Sequence, residues 1–319
     1  MLLSRRSLRG ERKLPGEMNY KGLASKAWLV IVIGVLLALP EVFATRGRSA
    51  QKSKTPPPLP ETLLKRTTTR RESQRLGYGG TVTIVGAPAG SITIEGWPRS
   101  EVEVVADIEL NGANEDDLNR LAAVNSFLFD ADSNHISIMT TGMHDKAFMR
   151  RSAKNFPKNL LNLPWKVDYR IRVPAVTDLE INGGRGAIKL SGVEGAIRLS
   201  SVEGETNLVL TGGVVSATVA AGNVVLHVPA RSWRGSGADI RVAAGTLTLE
   251  LLPGFSGDID ADILKAGRIE DNYGSLESRE RPGLTQTVMR ARAGVGGAFF
   301  KFTVGVGTVS IRKIEAGNN

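Results

Sequence analysis

Five glycines stand nine residues apart without a slip, at Gly186, Gly195, Gly204, Gly213 and Gly222, and each opens a similar short phrase. Two places after them come Ile188, Ile197, Thr206, Val215 and Val224, and four places after come Leu190, Leu199, Leu208, Ala217 and Leu226. The residues between, such as Lys189, Arg198, Asn207 and Ser216, are mostly polar. Period-two alternation within a short segment is the mark of a strand with one buried face. A single strand of this kind cannot bury its apolar side, whereas copies stacked in register turn each column into a continuous ladder and pair every backbone amide. Each aliphatic side chain so buried contributes roughly 1.5–3 kcal/mol. The glycines fit corners where φ is positive or where the chain passes close to a neighbour.

The pattern predicts an all-β fold, a parallel β-solenoid or β-helix with about nine residues per strand-plus-turn. Two arms give a coil of about 18 residues and three arms a coil of about 27, and both fit the period. An antiparallel meander is the competing architecture, because nine residues also suit a strand and a tight turn. Looser phrases continue from Gly245, Gly257 and Gly267, and two alternating strands close the sequence after Gly297. Upstream, GTVTIVGAPAGSITIEGWPRSEVEVVADIEL contributes three more. Residues 111–164 interrupt the pattern. Within them Asn114–Val124 has a capping Asn, acids in its first turn and apolar residues at Leu118, Leu121 and Val124, so it predicts a short helix. HISIMTT predicts one more strand, and GMHDKAFMRRSAKNFPKNLLNLP a long polar loop. An element lying over the first coil would cover an edge open to aggregation.

The net charge of +9 over 319 residues suggests nucleic acid until it is divided along the chain. Residues 1–44 carry a balance of +4, residues 45–80 one of +7, and the remaining 239 one of −2. A nucleic-acid-binding domain concentrates basic charge on the folded body, so no nucleic-acid partner is expected. The absence of cysteine excludes disulfides, zinc ribbons, iron–sulfur sites and a thiol nucleophile. Hydrophobic residues make up 41% of the chain, enough to bury a core.

Residues 1–44 predict a signal peptide. Lys21 and Lys26 precede the apolar run Ala27–Leu39, and Val42-Phe43-Ala44 forms a small-x-small cleavage site, placing the cut between Ala44 and Thr45. Thirteen helical residues span about 20 Å, short of a bilayer core of about 30 Å. Retained, the run would be an N-terminal anchor. Either way the rest is expected outside the cytoplasm: in the periplasm, on the cell envelope or secreted. Residues 45–79, with Pro56–Pro58 and many basic residues, predict a disordered linker. Its charge suits electrostatic contact with anionic envelope polymers or a membrane surface, and equally a plain solvated spacer. Residues 80–319 are then the folded domain.

The phrases GTVTIVGAPAGSITIEGW, VDYRIRVPAVTDLEINGGRGAIKLSGVEGAIRLSSVEG, FSGDIDADI and GGAFFKFTVGVGTVSIRK together resemble the putative adhesin domain family of bacterial envelope proteins. The resemblance spans about residues 77–314. It implies an extracytoplasmic β-helical domain with an adhesive or scaffolding role, and it brings no catalytic residue. The segment 111–164 departs from the compact pattern and is a place for a function particular to this chain.

Asp258, Asp260 and Asp262 form DxDxD, but an EF-hand would need glycine where Ile263 stands and glutamate where Ile269 stands. Alternating with Ile259 and Ala261, these acids predict the wet side of a strand. His135, His144 and His227 lack metal spacing, and His227 is expected to point outward. Gly235-Ser236-Gly237 is no nucleophile elbow, and Gly77-Tyr78-Gly79-Gly80 opens a strand rather than a phosphate-binding helix. A carbohydrate-active β-helix enzyme would need a groove of carboxylates or cations, for which Arg185, Lys189, Arg198, Glu194 and Glu203 are the candidates. The expectation is a non-catalytic adhesin-like or scaffold protein without metal or cofactor. It would present a β-sheet surface to an envelope polysaccharide or a surface protein. The carbohydrate-active enzyme and a self-associating fibre subunit are the alternatives.

Overall fold

A computed structural model describes residues 63–281 and 283–314. The predicted signal peptide, its predicted Ala44–Thr45 cleavage site and the first part of the predicted linker lie outside the described residues. The chain runs through β1 (Leu64–Arg75), β2 (Thr81–Val85), β3 (Ile92–Trp97) and β4 (Glu101–Gly112), then α1 (Glu115–Val124), β5 (Ser126–Ala131), β6 (His135–Thr141) and α2 (Lys146–Ser152). It continues through β7 (Trp165–Pro174), β8 (Asp178–Arg185), β9 (Ile188–Ser191), β10 (Ala196–Glu203), β11 (Thr206–Val209), β12 (Gly212–Ala221) and β13 (Val224–Val228). The last strands are β14 (Arg234–Leu251), β15 (Gly257–Asn272), β16 (Leu276–Ser278), β17 (Val288–Ala293) and β18 (Phe299–Lys313).

Among the described residues all eighteen strands belong to one mixed sheet that curls nearly into a barrel around a single core. The expected parallel β-solenoid is therefore corrected. Five strand pairs are antiparallel: β1 on β4, β4 on β7, β5 on β6, β15 on β17 and β16 on β17. The C-terminal strand β18 moreover inserts between β14 and β15, parallel to both, so chain order is not stacking order. The nine-residue pattern occupies only the middle of the chain. There the parallel register steps by 18 residues, Leu179 to Ile197 to Val215 in one ladder and Ile188 to Thr206 to Val224 in another. Outside it both directions occur: β2 on β6, β3 on β7 and β14 on β18 are parallel, while β5 and β6 form a hairpin and pair antiparallel.

Alternation explains the core. Ile84, Ile181, Leu199, Ala217, Ile240 and Phe302 meet as successive register partners, every one buried. Ala217 and Ala261 leave the volume that Phe302 and its neighbours fill, as dense packing requires. The corner glycines pile up as well. A Cβ on Gly204 would stand 2.2 Å from the carbonyl oxygen of Gly186, and one on Gly222 would stand 2.0 Å from that of Gly204. Only glycine fits such a column, in which all three residues have positive φ.

Two further expectations change. Residues 64–75, the end of the segment read as a disordered linker, form the twelve-residue strand β1. Its basic and Thr-rich sequence finds acids across the ladder: Lys65 Nζ lies 2.8 Å from Glu109 Oε2, Thr69 Oγ1 donates to Asp107 Oδ1 at 2.6 Å, and Arg66 pairs with Glu115 of α1. The segment read as a polar loop contains α2, whose first amides are capped by Asp145 Oδ1 at 2.8 and 3.0 Å. The predicted helix lies at α1, where the amide of Asp117 donates to Asn114 Oδ1 at 2.9 Å.

Candidate binding face

Residues flanking the inward aliphatics of β9, β11, β13 and β14 point outward and, because the register is strict, stand in rows across the strands. One row is Lys189, Asn207, Val225 and Thr248. Beside it, at the strand starts, lie Ala187, Glu205, Asn223 and Thr246, and between the rows runs an open furrow of about 320 Å³. Lys189, Asn207, Glu205 and Asn223 are exposed. The furrow thus offers the Lys189 ammonium, the Glu205 carboxylate, the Asn207 and Asn223 amides and the Thr246 hydroxyl on successive strands.

The next row along the same strands carries charge. His227, Glu250, Arg312 and Asn272 are successive register partners on β13, β14, β18 and β15. His227 Nδ1 donates to Glu250 Oε2 at 2.8 Å, and Arg312 Nε donates to Glu250 Oε1 at 3.0 Å. Burial alone would push the Glu250 carboxyl up, but the donors His227 and Arg312 outweigh it and hold the group below the usual carboxylate range. The imidazole is half-buried rather than turned freely to solvent as expected.

Asp258, Asp260 and Asp262 are not simply the wet side of a strand. β17 runs antiparallel to β15 and sets Arg292 opposite Asp258 and Arg290 opposite Asp260. Arg292 Nε donates to Asp258 Oδ1 at 2.7 Å, Arg290 Nη2 donates to Asp262 Oδ1 at 2.8 Å, and Arg279 pairs with Asp260. The three carboxylates are 15%, 16% and 24% exposed, so guanidinium groups occupy the space a cation would need. The hydrogen bond from Arg292 holds Asp258 below its ordinary value against the opposing effect of burial, while Asp262 raises Arg290. Opposite-sign alternation in DIDADI and VMRARA is the signal that could have paired these strands.

The remaining candidates are dispersed. Arg185 Nε lies 3.3 Å from Glu203, and Arg198 lies 3.5 Å from Glu180. Glu194 accepts from Thr211 Oγ1 at 2.9 Å and pairs with Arg234; burial raises its carboxyl, and these two partners more than offset the rise. Of the five residues considered for a carbohydrate-active enzyme, only Lys189 lines the furrow. His135 Nε2 lies 3.0 Å from Thr83 Oγ1 across the parallel pair β2–β6. His144 lies against Trp165 with ring centroids 5.5 Å apart, and burial lowers its basicity. Gly235, Ser236 and Gly237 run within β14, and Gly77–Gly80 form the turn into β2. Among the described residues no three His, Asp or Glu side chains are placed to hold a metal ion.

No protein-family model matches this sequence, and no curated protein matches it significantly. Among solved structures, a putative cell adhesion protein from Clostridium sporogenes is similar over 77% of this chain and 100% of its own, at 12% identity and a TM-score of 0.43. A putative adhesin from Bacteroides fragilis is similar over 76% of this chain and 97% of its own, at 12% identity and a TM-score of 0.29. A putative lipid binding protein from Parabacteroides distasonis is similar over 77% and 97%, at 10% identity and a TM-score of 0.22. Scores of this size carry no function from one chain to another.

Proposed function

We propose that the protein is an exported, non-catalytic binding module of adhesin-like character. Its β9–β11–β13–β14 face would lie along an extended envelope polysaccharide or a segment of a surface protein. The observation that carries this reading is the furrow between two register-matched rows, with Asn207 and Asn223 exposed at its centre. Amide and hydroxyl groups on neighbouring strands about 4.8 Å apart, Asn207 on β11, Asn223 at the start of β13 and Thr246 on β14, suit a ligand that is itself extended and rich in hydroxyl or amide groups. Its own charges, Lys189 on β9 and Glu205 at the start of the adjacent β11, are of opposite sign, and in the next row Glu250 is engaged by His227 and Arg312.

The test is binding of the full chain to a panel of purified peptidoglycan and capsular polysaccharides, measured for the wild type and for Asn207→Arg/Asn223→Arg. Bulky charges at two exposed furrow positions should weaken capture at least tenfold and leave the melting temperature in place. Unchanged capture would remove the furrow from the proposal, and release of shortened glycan chains would replace the binding module with an enzyme.

The fibre alternative fares less well on physical grounds. The edge strand β1 carries Lys65, Arg66, Arg70, Arg71 and Arg75, and charged side chains on an edge oppose strand-to-strand association. At the far end β17 covers β15, and β16 in turn covers β17.

A further inference from the structure

Among the described residues most arginines on the sheet stand in ion pairs, as do Arg170 with Asp107, Arg172 with Glu95 and Glu103, Arg241 with Asp239, and Arg268 with Glu270, Arg71 and Arg75 of β1 being exceptions. In the inserted segment the pattern stops. From Lys146 to Lys158 the chain carries Lys146, Arg150, Arg151, Lys154 and Lys158 and not one acid. All five are exposed, and none forms an ion pair among the described residues. Arg120 of α1, likewise exposed and without an ion pair there, joins Arg151 and Lys154 around an open hollow of about 540 Å³ between the end of α1 and the loop after α2.

Unpaired like charges brought together raise the energy of the free protein, so a cluster of this kind is relieved by an anionic partner. The apolar neighbours narrow the choice. Phe156 lines the same hollow half-buried, and Leu161, just beyond Lys158, is 39% exposed. A hydrated polyanion gains little from an exposed leucine. A lipid headgroup region takes both cations and shallow apolar side chains.

We infer that the Lys146–Leu161 segment, with Arg120, is a docking surface for an anionic lipid bilayer. The contact proposed is peripheral, made by exposed side chains of this segment; no helix among the described residues is long and apolar enough to cross a membrane. It is separate from the furrow: the two share no residue, and the cationic segment belongs to the insertion rather than to the repeated strands. The module would hold its polymer-binding face at a membrane surface while that face remained free.

The experiment is flotation of the full chain with vesicles of phosphatidylcholine alone and of phosphatidylcholine with 30 mol% phosphatidylglycerol, at low and at about 0.5 M salt. The wild type should float with the anionic vesicles at low salt and not with the neutral ones. Each cation near an anionic surface contributes roughly fivefold to binding, so Arg120→Gln/Arg151→Gln/Lys154→Gln should lose about a hundredfold. Arg198→Gln, a charge removed from a strand far along the sequence, should bind as the wild type does. Circular dichroism melts of each variant separate loss of binding from loss of fold, and Leu161→Ser should weaken binding while leaving all cations in place. Vesicle binding by the triple variant equal to the wild type would overturn the inference and shift the attraction to the basic residues before β2. Binding to soluble polyphosphate or heparin without binding to vesicles would overturn it in favour of a polyanion site.

Discussion

Arg292 Nε donates to Asp258 Oδ1 at 2.7 Å across the antiparallel pair β17–β15, and the carboxyl is held below its ordinary value of 3.8 by that contact. Because the depressed value belongs to the folded state, the contact stabilises the fold above the ordinary carboxylate range. It is lost as pH falls through the native value. Asp258→Asn should cost about 1 kcal/mol at pH 7, a modest figure because Arg292 is half-exposed and screened by solvent. Urea unfolding of the variant and the wild type between pH 7 and pH 2.5 checks this. The difference should shrink at the acid end, and a difference constant across that range would show that the ion pair contributes nothing.

Ile197 and Arg198 are neighbours with opposite surroundings. Ile197 is fully buried between Leu179 and Val215, whereas the side chain of Arg198 is 70% exposed and 3.5 Å from Glu180. Ile197→Asp should destabilise by more than about 4 kcal/mol and leave little folded protein, since it places a charge among aliphatics with no partner. Arg198→Asp should cost less than about 1 kcal/mol, the small loss coming from a second negative charge beside Glu180. Thermal melts by circular dichroism distinguish the two, and equal effects would contradict the inward and outward assignment.

Gly222 tests the column of corners. Its φ is +134°, and an added Cβ would stand 2.0 Å from the carbonyl oxygen of Gly204, a backbone atom that cannot swing aside. Gly222→Ala should therefore destabilise by about 2–4 kcal/mol. Gly254, at φ +78°, has nothing within 4 Å of such a Cβ, and Gly254→Asn should stay within about 1 kcal/mol of the wild type. Chemical denaturation midpoints give the comparison. A tolerant Gly222 would mean that the column can spread without penalty.

The strands of this fold were legible where one residue in two is apolar. The Ile188, Ile197, Thr206, Val215 and Val224 positions are buried in the structure as their spacing suggests, because alternation is a local property of the chain. What β17 or β18 pairs with is not local. Phe302 sits between Ile240 and Ala261, partners some sixty and forty positions earlier, and no repeat length announces either. The same limit hid the antiparallel edges that turn a repeated parallel ladder into a mixed, nearly closed sheet. For the sites the difficulty was averaging. A balance of −2 over the last 239 residues conceals five cations without an acid between Lys146 and Lys158. The Asp258–Asp262 acids, read on their own strand, gave no hint of the arginines at 279, 290 and 292 that neutralise them.

Thr206 interrupts an otherwise aliphatic column. It lies between Ile188 and Val224, is 1% exposed, and its hydroxyl is buried without a hydrogen-bond partner. Valine has the same branched shape and removes the unsatisfied oxygen, so Thr206→Val should stabilise the protein by about 1 kcal/mol, a rise of roughly 2–4 °C in melting temperature. Thr206→Ser keeps the hydroxyl and deletes the methyl, and it should destabilise by about 1 kcal/mol. Calorimetry on the three proteins separates the contributions. Should Thr206→Val melt lower than the wild type, the hydroxyl has a partner in solution, and the buried side of the column beside Ile188 and Val224 would be the place to look for an ordered water.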